Sequence, residues 1–446
     1  MTDAPTALSR PSSVLRLIAA SPLTLWVAFV AAHLVLGLLA LYAPGLPLGD
    51  VTLVYRFWIE EALGGGLWVG IDTAWVYPIL ALVPMLLATV FGPDQYGATW
   101  LSLVMVLNAV AFGFVTGWGR RPERIAAGWW WIAFLLLLGP IALARIDSVT
   151  VPIALVGVLL LASRPVLASA LLAVATWIKV WPAALVLAAL IAVRDRLRIV
   201  AGAAAVTAVV LIGALLLGAT SSVLSFITEQ TGRGLQVEAP VSTVWLWLAK
   251  AGVPGAFVYY DTGILTYQVE GPGSGFAAGL MTPLLAVAVF AISALAVVAV
   301  RRGAAVGDLL PPLSLGLVTA LIAFNKVGSP QFVSWFAVPI VLGIVTSAAG
   351  WGRSFRVPAI LVLVIAALTQ VVYPYLYNWL LSLDLLLLVV LSARNLLYFA
   401  LLAWAIRAIV ASPHWAEEHP VGEDGLQTVW PIRLTDGSAQ PQAAKG

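Results

Sequence analysis

Cysteine is absent from the 446 residues, so no disulfide and no thiolate metal site can form. Histidine is nearly absent: His33, His414 and His419 are too scattered to build a metal centre. Charge is scarce too. Asp, Glu, Lys and Arg together make up 10% of the chain, against about 25% in a soluble globular domain, which excludes that class. Short catalytic signatures are missing as well: there is no Gly-rich loop ending in Lys-Ser or Lys-Thr, no Gly-x-Ser-x-Gly elbow, no His-Glu-x-x-His and no Asp-x-Asp pair. What fills the chain is apolar, 62% hydrophobic with a mean hydropathy of +1.03. Runs of roughly 20 apolar residues recur, each long enough to cross a bilayer, and the two-residue alternation of a transmembrane barrel is not there. This composition specifies an all-α polytopic membrane protein.

The few basic residues cluster, and basic clusters stay preferentially on the cytoplasmic side. Arg10 with Arg16, "RRPER" at 120–124, "SRP" at 163–165, "RDRLR" at 194–198, "RRG" at 301–303 and "GRSFR" at 352–356 are assigned there. The net charge of +3 therefore reflects topology and not nucleic-acid binding. Helices are expected at 23–42, 97–118, 126–143, 148–162, 166–178, 182–193, 199–219, 279–300, 307–324, 332–348, 357–373 and 386–409. That is about twelve crossings (11–13), with a cytoplasmic N-terminus at 1–21, a membrane domain at 22–410 and a polar cytoplasmic tail at 411–446. Residues 1–21 lack the small-residue site of a cleavable signal, so the first apolar run reads as an anchor that stays. "YPILALVPMLLATVF" at 77–91 is too short for this count and reads as re-entrant or interfacial. The runs flanking Lys179 form a tight hairpin with "IKVWP" at its tip.

Two loops on the outer face are long, 44–75 and 220–278. The first carries "GDVTLVYRFWIEEALGG", apolar at helical spacing, an interfacial helix lying flat on the membrane. The second carries "FVYYDTGILTYQVEG", a β-hairpin around Asp-Thr-Gly. The inner charges are mostly arginines in turns. Those at the other end are individually odd: Asp50; Arg145 with Asp147; Lys179; Arg233, Gln236 and Glu238; and Asn325, Lys326 and Gln331. Ionisable groups beside apolar helices persist mainly where they pair or line a wet cavity, and here several separate elements contribute one or two each.

Each of these residues also has a plainer reading. Asp50 could cap the helix that follows it, Arg145 and Asp147 could pair with each other, and Lys179 could snorkel between Trp177 and Trp181. Asn325-Lys326 could end a helix, and Arg233 and Glu238 could be loop charges. His33 reads as a packing histidine, and the tryptophans of "WWW" at 129–131 as interface anchors. If the outer set does share a cavity, its cations Arg145, Lys179, Arg233 and Lys326 suit a phosphate. At that depth the phosphate is most naturally a lipid headgroup. Asp50 is then the candidate base for an attacking hydroxyl. No metal-ligand set is visible, and a divalent ion stays open.

At these residues the chain resembles the actinobacterial polyprenol-phosphate-mannose-dependent mannosyltransferases of glycosyltransferase family 87, which have a GT-C type membrane fold. The likeness is carried by "GDVTLVYRFW" (49–58), "YP" (77–78), "ARIDSVTVPIALV" (144–156), "LASALLAVATWIKVWPAALV" (167–186), "RGLQVEAPVST" (233–243) and "NKVGSPQFVSWF" (325–336). It implies inverting transfer of mannose from polyprenyl-phosphate mannose to a glycolipid or polysaccharide acceptor in the outer leaflet, with no cofactor. The protein would then be a multi-pass plasma-membrane enzyme whose site faces outward. Asp50 takes the place of the acidic base of the first outer loop. Lys179, Arg233, Lys326 and Arg145 are implied as donor phosphate or sugar contacts, and Tyr55, Tyr77, Asp147, Gln236, Glu238, Asn325 and Gln331 as lining. The chain departs from the family pattern at "YP", which lacks a second proline, and at "ARID", where Gly-Gln-x-Asp is frequent. An arabinofuranosyl donor, a transporter and a lipid flippase are the alternatives.

Overall fold

Proline and glycine punctuate apolar runs that would otherwise be continuous helix, and the breaks decide where polar residues emerge. In the computed structural model, residues 21–229 and 232–412 are described. The expectations for the N-terminal segment, most of the tail, His414 and His419 lie outside them. Among the described residues, eight helices are long and apolar enough to cross a membrane: α1 (Pro22–Tyr42), α4 (Tyr96–Thr116), α5 (Ile125–Leu138), α9 (Arg196–Leu216), α11 (Ser274–Arg301), α12 (Val306–Ala323), α13 (Ala337–Ala348) and α16 (Leu385–Val410), where short 3-10 turns extend α4, α5 and α13. Four apolar helices are shorter: α6 (Asp147–Leu160), α7 (Pro165–Ile178), α8 (Ala183–Ala192) and α14 (Arg356–Val372). Eight and four make the twelve apolar segments read from the sequence. The fold is all-α and polytopic, with the short helices α2 (Arg56–Leu63), α3 (Leu82–Leu87), α10 (Thr243–Lys250) and α15 (Tyr377–Leu381) in the connections. The 77–91 run is a 3-10 turn followed by α3, too short to cross.

The short helices matter because of their length. A 14-residue helix such as α6 or α7 rises about 21 Å, against about 30 Å of hydrocarbon. If their arginine-bearing ends reach one surface, the other ends stop inside the bilayer, and those ends carry Asp147 and Lys179. α7 packs between α6 and α9. With little hydrophobic drive between helices in lipid, close approach of small residues carries the packing. A Cβ on Gly202 of α9 would meet Ser169 Oγ and the Val166 carbonyl of α7.

The connections segregate by end. Gly119 lies against Pro22, Arg353 N donates to Asp308 at 2.9 Å, the Arg353 guanidinium donates to the Ala411 carbonyl at 3.1 Å, and Arg164 and Arg198 border one shallow pocket, so neighbouring arginine-rich turns meet at one end of their helices. At the other end lie the loops after α1, α5, α7, α9, α12 and α14. There residues 50–55 form a π-helix leading into α2, with Val51, Tyr55, Ile59 and Ala62 turned into the protein and Leu53 and Phe57 exposed. The second loop is more structured than expected and shorter, because α11 begins at Ser274. It holds a three-stranded antiparallel sheet in the order β1 (Leu235–Gln236), β3 (Thr266–Glu270), β2 (Phe257–Asp261). β2 and β3 are the expected hairpin, paired from Phe257↔Glu270 to Asp261↔Thr266.

Two plain readings are settled by packing. His33 is buried, with Nδ1 at 2.9 Å from the Phe29 carbonyl and Nε2 at 3.0 Å from Asn108 Nδ2, as a packing histidine should be. The tryptophans at 129–131 are not interface anchors as a set. Trp130 and Trp131 are buried, Trp130 stacked on Phe134 with its Nε1 donating to the Ala359 carbonyl at 3.1 Å. Three consecutive residues span most of a helical turn, so they cannot all face lipid.

Candidate functional site

A cavity of about 670 Å³ opens among the loops at the end away from the arginine clusters. Eight of the residues singled out from the sequence line it: Asp50, Tyr55, Tyr77, Lys179, Arg233, Gln236, Asn325 and Gln331. Arg145, Asp147, Glu238 and Lys326 are not on its wall. Three of these four stand behind it.

Asp50 begins the π-helix. Its carboxylate caps no backbone N–H and instead takes the Arg145 Nε at 2.9 Å. Arg145 is committed: Nη1 donates to the Pro47 and Ala144 carbonyls at 2.6 and 2.7 Å, and Nη2 to the Tyr373 hydroxyl at 2.8 Å. With its side chain 6% exposed against 42% for Asp50, Arg145 orients the carboxylate with four of its five N–H donors already engaged. Arg145, expected as a donor contact, stands behind Asp50 and off the cavity wall. The short break after α5, where Gly139 and Pro140 end the helix, brings it there.

Lys179 follows the same plan with the charges reversed. It sits in the extended link between α7 and α8, and its Nζ pairs with Asp147 Oδ2 at 3.1 Å. Asp147 is 1% exposed, and its other oxygen accepts from Trp335 Nε1 at 2.6 Å. The ammonium lies 5.1 Å from the Tyr77 ring centre and 5.4 Å from that of Phe332, distances suited to cation–π attraction. Trp181 stacks on Trp335, ring centres 5.4 Å apart. Lys179 is therefore turned inward and does not snorkel, and Arg145 and Asp147 each hold a cavity residue instead of each other.

The remaining wall comes from the second loop and the α12–α13 connection. Arg233 Nε and Gln236 Oε1 are buried without a hydrogen-bond partner, so a donor and an acceptor stand unused at the cavity. Burial lowers the Arg233 guanidinium from its ordinary range, opposed by Tyr77, Glu229 and Asp261. Asn325 accepts from Val327 N at 2.9 Å, ending α12 as the plain reading had it while also lining the cavity. Lys326 contributes its carbonyl, which accepts from Gln236 N at 3.0 Å, and burial lowers its ammonium. Gln331 lines the cavity at the start of the 3-10 turn before α13. The hairpin tip, Gly263 to Thr266, also lines the cavity, shaped by Asp261 Oδ1 accepting from Gly263 N at 2.9 Å. Away from the polar end, Val180, Ala184, Leu187, Val289, Leu317 and Leu321 line an apolar arm between α8, α11 and α12. Leu317 lies six residues before the end of α12 at Ala323, about 9 Å along its axis. Among the described residues, no three His, Cys, Asp or Glu side chains converge to hold a metal ion.

Gly328 is where the two polar loops touch. A Cβ there would meet Ala239 N and Cα and the Glu238 carbonyl carbon, all of them backbone. Gly328→Ala should push the Gln236 strand off the Lys326 carbonyl and cut activity by roughly tenfold or more, in line with the large cost of small misplacements. Turnover and thermal melting in detergent would check this, and unchanged turnover would mean the loops are free to separate.

Sequence reasoning missed Arg394, Trp335, Tyr373 and Glu229. Arg394 had a signal, a lone arginine amid the apolar residues of "LSARNLLYF". Trp335 lay inside the "NKVGSPQFVSWF" block without being singled out, and Tyr373 had no signal apart from contacts made at long range.

A polytopic bundle with an acid and a cation on one recessed cavity is, by class, a multi-pass membrane protein with a polar pocket. The chain belongs to glycosyltransferase family 87, whose profile matches residues 75–330, more than half its length. The match covers Tyr77, Lys179, Arg233, Gln236 and Asn325 and begins after Asp50. No curated protein matches the chain. It is a membrane glycosyltransferase, and the transporter and flippase readings fall away.

Proposed function

We propose that the protein transfers a mannosyl residue from polyprenyl-phosphate mannose to a glycolipid or polysaccharide acceptor, by single displacement with inversion. The observation that carries this reading is that Asp50 and Lys179 line one cavity, each braced by a buried counter-ion. Asp50 takes the acceptor hydroxyl proton as that oxygen bonds to the anomeric carbon. The bond from that carbon to the phosphate oxygen breaks, and polyprenyl phosphate leaves. Lys179 and Arg233 stabilise the charge that grows on the leaving phosphate, an interaction stronger in the transition state than before it. Attack from the opposite side turns a β-linked donor into an α-mannoside. The apolar arm suits the prenyl chain. Gathering of the arginine turns at the opposite end favours an extracytoplasmic site in the plasma membrane.

The test is purified protein with radiolabelled polyprenyl-phosphate mannose and candidate glycolipid acceptors. A labelled α-mannoside is expected. Transfer from polyprenyl-phosphate arabinose but not from the mannose donor would overturn the sugar assignment, and a β-mannoside would overturn single displacement.

A further inference from the structure

We propose that Arg394, in the middle of α16, is a positioning residue for the donor wall of the cavity and acts through Glu238 on Gln236. The inference rests on the reading that this cavity binds a lipid-linked phosphate donor.

An arginine inside an apolar helix is costly to keep and marks a function or a tight partnership. Arg394 is 2% exposed and does not reach the cavity wall. Four of its five N–H donors are engaged. Nη1 donates to Glu238 Oε2 at 2.7 Å, Nη2 to the Glu238 carbonyl at 2.7 Å and to Asn395 Oδ1 at 3.0 Å, and Nε to Asn395 Oδ1 at 3.2 Å. Asn395 Nδ2 in turn donates to Thr243 Oγ1 at 2.8 Å. Residues 394 and 395 thus grip both ends of the turn from Glu238 to Thr243.

That turn sets Gln236. The Gln236 carbonyl accepts from Ser242 Oγ at 2.6 Å and from Ala239 N at 3.0 Å, and its N–H donates to the Lys326 carbonyl at 3.0 Å. With its backbone held on both sides, Gln236 presents to the cavity a side chain whose Oε1 has no partner. A buried ion pair is weak evidence for stability, since packed apolar residues often serve as well. Holding a cavity residue in one orientation is a use that apolar packing does not supply. Only the planar guanidinium can meet the Glu238 carboxylate, the Glu238 carbonyl and Asn395 together, and the point charge of lysine cannot.

The experiment compares parent, Arg394→Lys, Gln236→Ala and the double variant for transfer from polyprenyl-phosphate mannose. Arg394→Lys should raise the donor KM by roughly tenfold or more, as a displaced positioning group does, with a smaller change in kcat and none in the acceptor KM. In the Gln236→Ala background the same substitution should add less than about twofold, since residues acting through one another are not additive. Full multiplication of the two effects, or loss confined to kcat, would overturn the proposal. Amide hydrogen exchange of residues 235–243 gives a readout that needs no donor: Arg394→Lys should speed it locally, and an unchanged rate would sink the inference even if the parent proved to use another sugar. Should Arg394→Lys fail to accumulate, Glu238→Gln tests the same grip with the main-chain contacts left in place. A parent that transfers nothing from the mannose donor counts against the proposed function alone, and exchange together with the melting shift on adding polyprenyl phosphate then decides this inference.

Discussion

Asp50→Asn should give a protein that folds and melts like the parent but transfers sugar roughly 10²–10⁴-fold more slowly, the contribution of a general base. The fold should survive because the Asp50 side chain is 42% exposed and Asn keeps its size and an oxygen for Arg145 Nε. Arg145 also retains its bonds to Pro47, Ala144 and Tyr373. The loss should fall on kcat, with donor KM little changed, because the proton moves only as the acceptor attacks. Glu229 is the control. It is a second carboxylate on the cavity wall, exposed and near Arg233 but without the close ion pair that holds Asp50, so Glu229→Gln should change turnover only a few-fold, the usual scale for a side chain outside the chemistry. Near-normal turnover in Asp50→Asn, or a larger loss in Glu229→Gln than in Asp50→Asn, would move the base away from residue 50.

The helices were legible because length and apolarity are local properties. Each of the twelve runs met a helix whose ends differ from the expected ones by a few residues, and the β2–β3 hairpin was carried by the three-residue signal Asp-Thr-Gly. Direction was not legible. Arg145 and Lys179 look alike in sequence, each a cation beside an apolar run, yet one is spent on Pro47, Ala144, Tyr373 and Asp50 while the other borders the cavity. What distinguishes them is partners far away in the chain. Tyr373 lies 228 residues from Arg145, Trp335 lies 188 from Asp147, and Glu238 lies 156 from Arg394. No periodicity reports such distances. The same limit explains the tryptophans at 129–131, where composition suggested a membrane belt and the packing of α5 buried two of the three.

Lys179→Met should do two things at once, and a second substitution should separate them. Removing the ammonium leaves Asp147, 1% exposed, with Trp335 Nε1 as its remaining side-chain partner. A buried charge deprived of its counter-ion costs roughly 3–5 kcal/mol, so the melting temperature should fall. Transfer should fall as well if this cavity cation meets the donor phosphate, since a preorganised group of this kind is worth about 10²–10³ in rate. Adding Asp147→Asn removes the stranded charge while keeping an oxygen for Trp335. Neutralising both partners of a buried pair is often close to neutral for stability, so the double variant should melt near the parent. If Lys179 meets the donor phosphate, the double variant should nevertheless stay inactive, with weakened use of donor and unchanged affinity for acceptor. Recovery of transfer together with stability would reduce Lys179 to a scaffold residue, whereas stability regained without activity would leave a contact with the donor as the role that accounts for it.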